Sequence, residues 1–157
     1  MSESSSVERV RAALLAAGHP DAIAEFPAGT RTAADAAAAI GCTVAQIAKS
    51  IVMRAGARAV VVIASGVNRV DRGKVAAALA VEIRPADAAF VRAATGFAIG
   101  GVAPVGHLAT PLMLLDRDLL ALDPIWAAAG SPHHVFRTDA AGLLRLTGAV
   151  VADIRQG

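Results

Sequence analysis

The sequence predicts an α+β (mixed α/β) protein whose mainly antiparallel, barrel-like sheet is surrounded by helices. Three observations carry this. Strand-length apolar runs and helix-patterned stretches follow one another without strict βαβ alternation. "SIVMR" and "RAVVVIAS", joined by "AGA" between Ser50 and Ser65, read as a hairpin of two mostly buried strands. The hydrophobic content, 55% of 157 residues, is chiefly Ala and Val, with only 3% aromatic residues, which suits a compact mixed core.

The elements follow in order. Ser5 or Ser6 caps a helix over roughly Val7–Ala17, with Val7, Val10 and Leu14 on one face and Gly18 as terminator. "AIAEFP" is a short strand, and "TAADAAAAIG" a helix capped by Thr32 and stopped by Gly41. Thr43 and Gln46 form a capping-box pattern that opens a short third helix. After the hairpin, "DRGKVAAALA" is helical, "VEIRP" a strand and "DAAFVRAATG" a helix ending at Gly96. "PLMLLD", "DPIWAAAG" and "HVFRT" are strands, followed by a helix in "DAAGLLRLTG" and a last strand in "AVVADIR". No linker divides the chain, so residues 5–157 are expected to form one domain, with 1–4 disordered.

Composition narrows the class. The single cysteine, Cys42, rules out an intrachain disulfide or a cysteine metal cage and fits a reducing cytoplasm. The uncharged stretch Ala93–Leu115 is long enough to cross a bilayer, and the mean hydropathy is +0.56. Yet the stretch is broken by Gly96, Gly100, Gly101, Pro104, Gly106 and Pro111, so a lone membrane helix is rejected. "MSESSSVERV" has neither the basic nor the apolar region of a secretory signal. A net charge of +2 and a pI near 9.3 are compatible with a nucleic-acid partner without specifying one.

Common catalytic motifs fail. Six residues separate Gly66 from Gly73-Lys74, where a phosphate-binding P-loop has four, and Val75 replaces its Ser/Thr. The glycines at 96, 100, 101 and 106 do not make a dinucleotide fingerprint. His133 and His134 are adjacent and on a strand would face opposite ways, against joint metal ligation. Cys42 reads as a small buried residue rather than a nucleophile. Asp116 and Asp118 suit turn and capping duty better than a catalytic pair.

Two features remain. Lys49, one of only two lysines against thirteen arginines, lies between a short helix and an apolar strand. It is either a lysine snorkelling from a sheet rim or a partly desolvated ammonium facing a cavity. "GGVAPVG" is either a plain turn or a loop whose bare backbone lets a ligand approach and offers N–H groups to an oxyanion.

The order of "AKSIV", "SGVNRVDRGKVA", "GFAIGGVAPVGH", "GSPHHVFR" and "LLRLTGAVVADI" resembles the YbaK/EbsC-type aminoacyl-tRNA deacylases, free-standing relatives of the editing insertion domain of bacterial prolyl-tRNA synthetase. The resemblance runs from about Val7 to the end of the chain. It implies that domain's mixed, mainly antiparallel barrel and hydrolysis of the ester between a wrong amino acid and tRNA. No cofactor and no membrane are implied; the partners are the aminoacyl-tRNA acceptor end and, in some settings, prolyl-tRNA synthetase. The family lysine falls on Lys49, with Ser50 beside it, and the Gly-x-x-x-Pro loop on Gly100–Pro104, followed by Gly106. Arg69, Asp71 and Lys74 are expected near the acceptor end or in structural pairs.

An aminoacyl ester is already activated, so positioning and oxyanion stabilisation suffice, without a Ser–His–Asp set. Lys49 is assigned to the terminal adenosine phosphate or the developing charge, and backbone N–H groups at Gly101, Val102 and Ala103 to the carbonyl. Water or the neighbouring ribose hydroxyl attacks. Where some members carry Gly-Arg-Gly-Leu-Asp, this chain has "GSPHHVFR", so their acidic pocket residue is missing and their preference for cysteinyl-tRNA does not carry over. His133 is the candidate specificity residue in its place. Small residues around the pocket favour Ala, Ser or Cys on the proline tRNA. The competing readings are a tRNA- or synthetase-binding module without turnover and a small-molecule esterase; oligomeric state is not readable.

Overall fold

The computed structural model describes residues 3–157. In chain order it contains α1 (Glu3–Ala16), β1 (Ile23–Glu25), α2 (Ala33–Ile40), β2 (Ile47–Ala55), β3 (Arg58–Ser65), α3 (Arg72–Leu79), β4 (Arg84–Pro85) and α4 (Ala88–Thr95). Then come β5 (Leu112–Asp116), β6 (Ile125–Ser131), β7 (His134–Thr138), α5 (Ala140–Thr147) and β8 (Val150–Ala152). The strands form one sheet in the order β1-β7-β6-β2-β3-β5-β8, with β4 paired to β2 off that path. The path is open, with β1 and β8 as its ends, so the barrel-like reading holds only loosely. β1/β7, β6/β7, β2/β3 and β2/β4 are antiparallel; β2/β6, β3/β5 and β5/β8 are parallel. The mixture follows from the connections, since helical crossovers separate β3 from β5 and β5 from β8.

β3 is an interior strand, between β2 and β5, and explains its own sequence. Val61 and Ile63 pack into a core with Leu14, Phe97, Val102, Leu115 and Phe136. Val60, Val62 and Ala64 face the other way, onto Val75, Ile83, Leu114 and Ile154. A strand buried on both faces must be apolar without alternation, as "RAVVVIAS" is.

Caps fix the helix starts. The Thr32 hydroxyl accepts from the Asp35 N–H at 3.1 Å, and Asp71, Asp87 and Asp139 accept from Lys74, Phe90 and Gly142 N–H groups. Four expectations need correcting. Glu3 and Ser4 are helical rather than disordered, and Ser5 and Ser6 lie inside α1 rather than capping it; residues 1 and 2 lie outside the described part. Glu3 favours the early start because an acid suits a helix N-terminus. The third helix is a three-residue 3-10 turn, Val44–Gln46, in which the Thr43 N–H donates to Gln46 Oε1 at 3.0 Å. The strand expected over 81–85 pairs only at Arg84–Pro85, because proline brings no N–H to a ladder.

Candidate functional site

β2 pairs with β3 along almost its whole length, but its outer edge is interrupted. There β6 pairs at Ile47 and Ala48, β4 pairs at Met53 and Arg54, and residues 49 to 52 have no strand partner. The Ser65 N–H donates to Asp116 Oδ2 at 3.0 Å, away from β2, so Ala48 opposite Ser65 is a non-hydrogen-bonded pair. Antiparallel alternation makes Ser50 opposite Ile63 another, and the Ser50 N–H and C=O therefore face the open edge. The Ser50 hydroxyl is buried and has no hydrogen-bond partner.

A cavity of about 400 Å³ lies at this gap, within the usual range for small-molecule sites. Lys49, Ser50 and Ile51 form one side, α2 with Ala33 and Ala36 another, β6 with Trp126, Ala127 and Ala128 a third. Ile99, Gly100 and Val102 close it from the glycine-rich loop, and Arg31 stands at the rim. Among the described residues no aspartate or glutamate lines it.

Lys49 Nζ donates only a long hydrogen bond, 3.4 Å, to the Gly66 carbonyl. Burial lowers its pKa from the ordinary lysine value, the positive charge of Arg69 lowers it further, and Asp116 opposes both. Asp116 is itself saturated: Asn68 Nδ2 donates at 2.7 Å, alongside the Ser65 and Asp118 N–H groups. Asp116 and Asp118 thus do the turn and capping work expected of them. The result is a partly desolvated ammonium without a carboxylate in contact, suited to an anion or a developing oxyanion.

The glycine-rich loop is tightly held. Gly100 has φ +92°, and the Arg31 stem lies across it. Gly101 packs on the Ser131 backbone so closely that an added Cβ would come within 2.8 Å of it. Arg9 of α1 clamps the loop: its guanidinium donates to the Gly106 carbonyl at 2.8 Å and the Gly96 carbonyl at 2.9 Å, and stacks 4.5 Å over the Phe97 ring. His107 Nε2–H donates to the Ala103 carbonyl at 2.8 Å; burial lowers its pKa, so the ring stays neutral more readily. Arg9 acts on the site through this loop, as a positioning residue. Arg9→Ala should raise KM severalfold and speed amide exchange over residues 97–106, with Arg9→Lys restoring part of both. Unchanged exchange in Arg9→Ala would show that the clamp is not what holds the loop.

Of the sequence candidates, Lys49, Ser50, Gly100 and Val102 meet at the cavity, and Arg69 acts on it electrostatically. Ala103 and Pro104 are buried away from it, and Gly106 belongs to the Arg9 clamp. The Gly101 N–H donates to the Ala98 carbonyl at 2.9 Å and is spent in a turn. Among the described residues, Val102 and Ala103 donate to no backbone carbonyl. His133 is not among the residues that line the cavity. It lies in the β6–β7 turn, 3.3 Å from the Glu3 carboxylate, because "SPHH" turns the chain before the strand begins at His134. Lys74 is taken up by Asp153 and the Arg155 carbonyl, and Asp71 by its helix cap. Burial pushes the Cys42 thiol up, against a nucleophilic role. Arg9, Arg31 and Trp126 were missed. Only Arg31 had a signal, a cation just before a helix N-terminus where the dipole disfavours it.

Comparisons with known proteins converge. Residues 27–146 match the family model of the aminoacyl-tRNA editing domain. A solved structure, proposed to be a trans-editing enzyme for prolyl tRNA synthetase, is 45% identical, with a TM-score of 0.90 over 97% of this chain and 98% of that one. Another, of a hypothetical protein, is 28% identical with a TM-score of 0.87 over 94% and 99%. The uncharacterized protein YwhH of Bacillus subtilis (strain 168) is 31% identical over 110 residues, 69% of this chain and 70% of that protein. No helix among the described residues is long and apolar enough to cross a membrane.

Proposed function

Because the chain belongs to the aminoacyl-tRNA editing domain family, we propose that this hydrolase of the aminoacyl-tRNA ester works in trans on the proline tRNA charged with a small wrong amino acid: Ala, Cys or Ser. The observation that carries the reading is Lys49, half-desolvated on the wall of an apolar cavity that holds no nucleophile–base pair and no carboxylate. The similarity to a structure proposed as a trans-editing enzyme for prolyl tRNA synthetase supports the choice of tRNA, a partnership with that synthetase and a cytoplasmic setting.

In this mechanism the ester carbonyl lies beside Gly100 and Val102, with the Val102 N–H group on its side. Water attacks, and the carbonyl electron pair moves onto oxygen as an oxyanion stabilised by the Lys49 ammonium. The ester C–O bond then breaks. The water proton passes through the neighbouring ribose hydroxyl to the departing ribose oxygen, leaving free amino acid and intact tRNA. Attack by that hydroxyl itself would only migrate the ester, so water must be the nucleophile. The α-amino group finds the free Ser50 carbonyl rather than a carboxylate. Ala36, Ala48, Ala127 and Ala128, with Ile47 and Val135, enclose the side chain, and the Lys49 and Arg31 charges reject a cationic one.

A panel of tRNAs decides between this and its rivals. The expected result is rapid deacylation of at least one of Ala-, Cys- or Ser-tRNA for proline, with Pro-tRNA spared. Binding without turnover would leave a tRNA-binding module. Inactivity on every charged tRNA together with turnover of simple esters would leave a small-molecule esterase.

A further inference from the structure

Lys49 and Arg69 are like charges close enough for Arg69 to lower the lysine's pKa, and no carboxylate contacts either. Among the described residues the Arg69 guanidinium makes no hydrogen bond or ion pair. Lys49 Nζ reaches the Gly66 carbonyl at the head of the turn that carries Arg69, and Asp116 offsets only part of the repulsion between the two cations, so an anion beside them is favoured. The turn that carries Arg69 is also fixed in place. Asn68 donates to Asp116 at 2.7 Å and Asp118 at 2.8 Å, and the Gln156 N–H donates to the Arg69 carbonyl at 2.9 Å.

The positive trail continues outward. Beside the turn is a shallow depression of about 450 Å³, lined by Val67, Asn68, Arg69, Arg155 and Gln156. Val67 is 63% exposed there, an apolar surface next to two arginines. Arg155, which is exposed, is joined to the half-buried Asp118 at 3.3 Å. Such a solvent-screened pair adds little stability and is readily exchanged for a phosphate. Arg31, just before α2, marks an alternative exit.

We propose that the single-stranded 3′ end of the tRNA leaves the cavity over the Gly66–Arg69 turn. The first phosphodiester outside the cavity meets Arg69, leaving Lys49 to the ester, the next meets Arg155, and a base rests on Val67. This rests on the editing reading and adds the direction in which the acceptor strand runs.

The test is equilibrium binding of a fluorescent RNA minihelix with a free CCA 3′ end, measured from low to moderate salt with the full chain. Each phosphate contact on a single strand adds about 0.7 to the steepness of log K against log salt. Arg69→Gln and Arg155→Gln should each lose about that much and bind about tenfold more weakly at low salt, a factor typical of one charge-assisted contact. Arg69→Lys should keep most of the slope. If both glutamine variants keep the wild-type slope, or if Arg31→Gln alone loses it, the strand does not take this route. Because the measurement needs no turnover, a wild-type protein that deacylates no tRNA would end the editing reading while these slopes still decided the path.

Discussion

Lys49→Ala is expected to lower kcat/KM for the mischarged tRNA by about a hundredfold or more, the usual effect of removing one oxyanion-stabilising group. Circular dichroism and Tm should stay close to wild type, because the ammonium makes only one long hydrogen bond, to the Gly66 carbonyl. Lys49→Arg separates charge from shape. A guanidinium keeps the charge but is planar and larger, so activity should fall less than in the alanine variant.

The pH dependence gives an independent check. Burial first, then Arg69, lowers the Lys49 pKa, so the ammonium loses its proton at a pH below that of an ordinary lysine. Activity that needs the charged form is therefore full at lower pH and falls as pH rises through that lowered pKa. In Lys49→Arg this alkaline fall should vanish, since a guanidinium stays charged across the range. The stability effect has the opposite sign. The unfolded chain binds a proton that the folded chain releases, so this group's contribution to stability rises with pH between the lowered pKa and the ordinary one. Near-normal turnover in both variants would remove Lys49 from the chemistry.

Gly101→Ala is the second large effect. The new Cβ would lie 2.8 Å from Ser131 Cα and carbonyl carbon, which are strand backbone and cannot swing aside. Overpacking of this kind costs about 1–3 kcal/mol, or a Tm lower by roughly 3–10 °C in a chain of this length. Activity should fall with it, because Gly100 and Val102 on either side are cavity wall. A variant with wild-type Tm and activity would mean that the loop and β6 do not pack as tightly as the geometry says.

Gly101 also shows how far the sequence reaches. The elements were readable because their signals are local: aspartate and threonine caps, glycine stops and the unalternating run of β3. Lys49 and the glycine-rich loop were readable as a pair through their resemblance to the editing family. The role of Gly101 was not, because its value lies in touching Ser131, thirty positions away, and its N–H is spent within its own turn. The place of His133 was unreadable for a similar reason: composition could not tell a pocket residue from one in a turn beside Glu3. Arg9 left no trace, since a clamp on carbonyls nearly a hundred residues away has no periodicity. The gap on β2 was equally hidden, because the pairing of β6 and β4 on one edge depends on the whole topology.

That gap also bears on how such a protein can diversify. In the proposed mechanism the reactive end is made from one continuous piece of β2 and one loop, whereas the enclosing walls come from α2 and β6, elsewhere in the chain. Substitutions in the alanines of those walls can reshape the chamber while leaving the ammonium and the loop untouched. A duplicated gene could therefore acquire a different amino acid as its target by drift at a few small residues, with its reaction inherited intact.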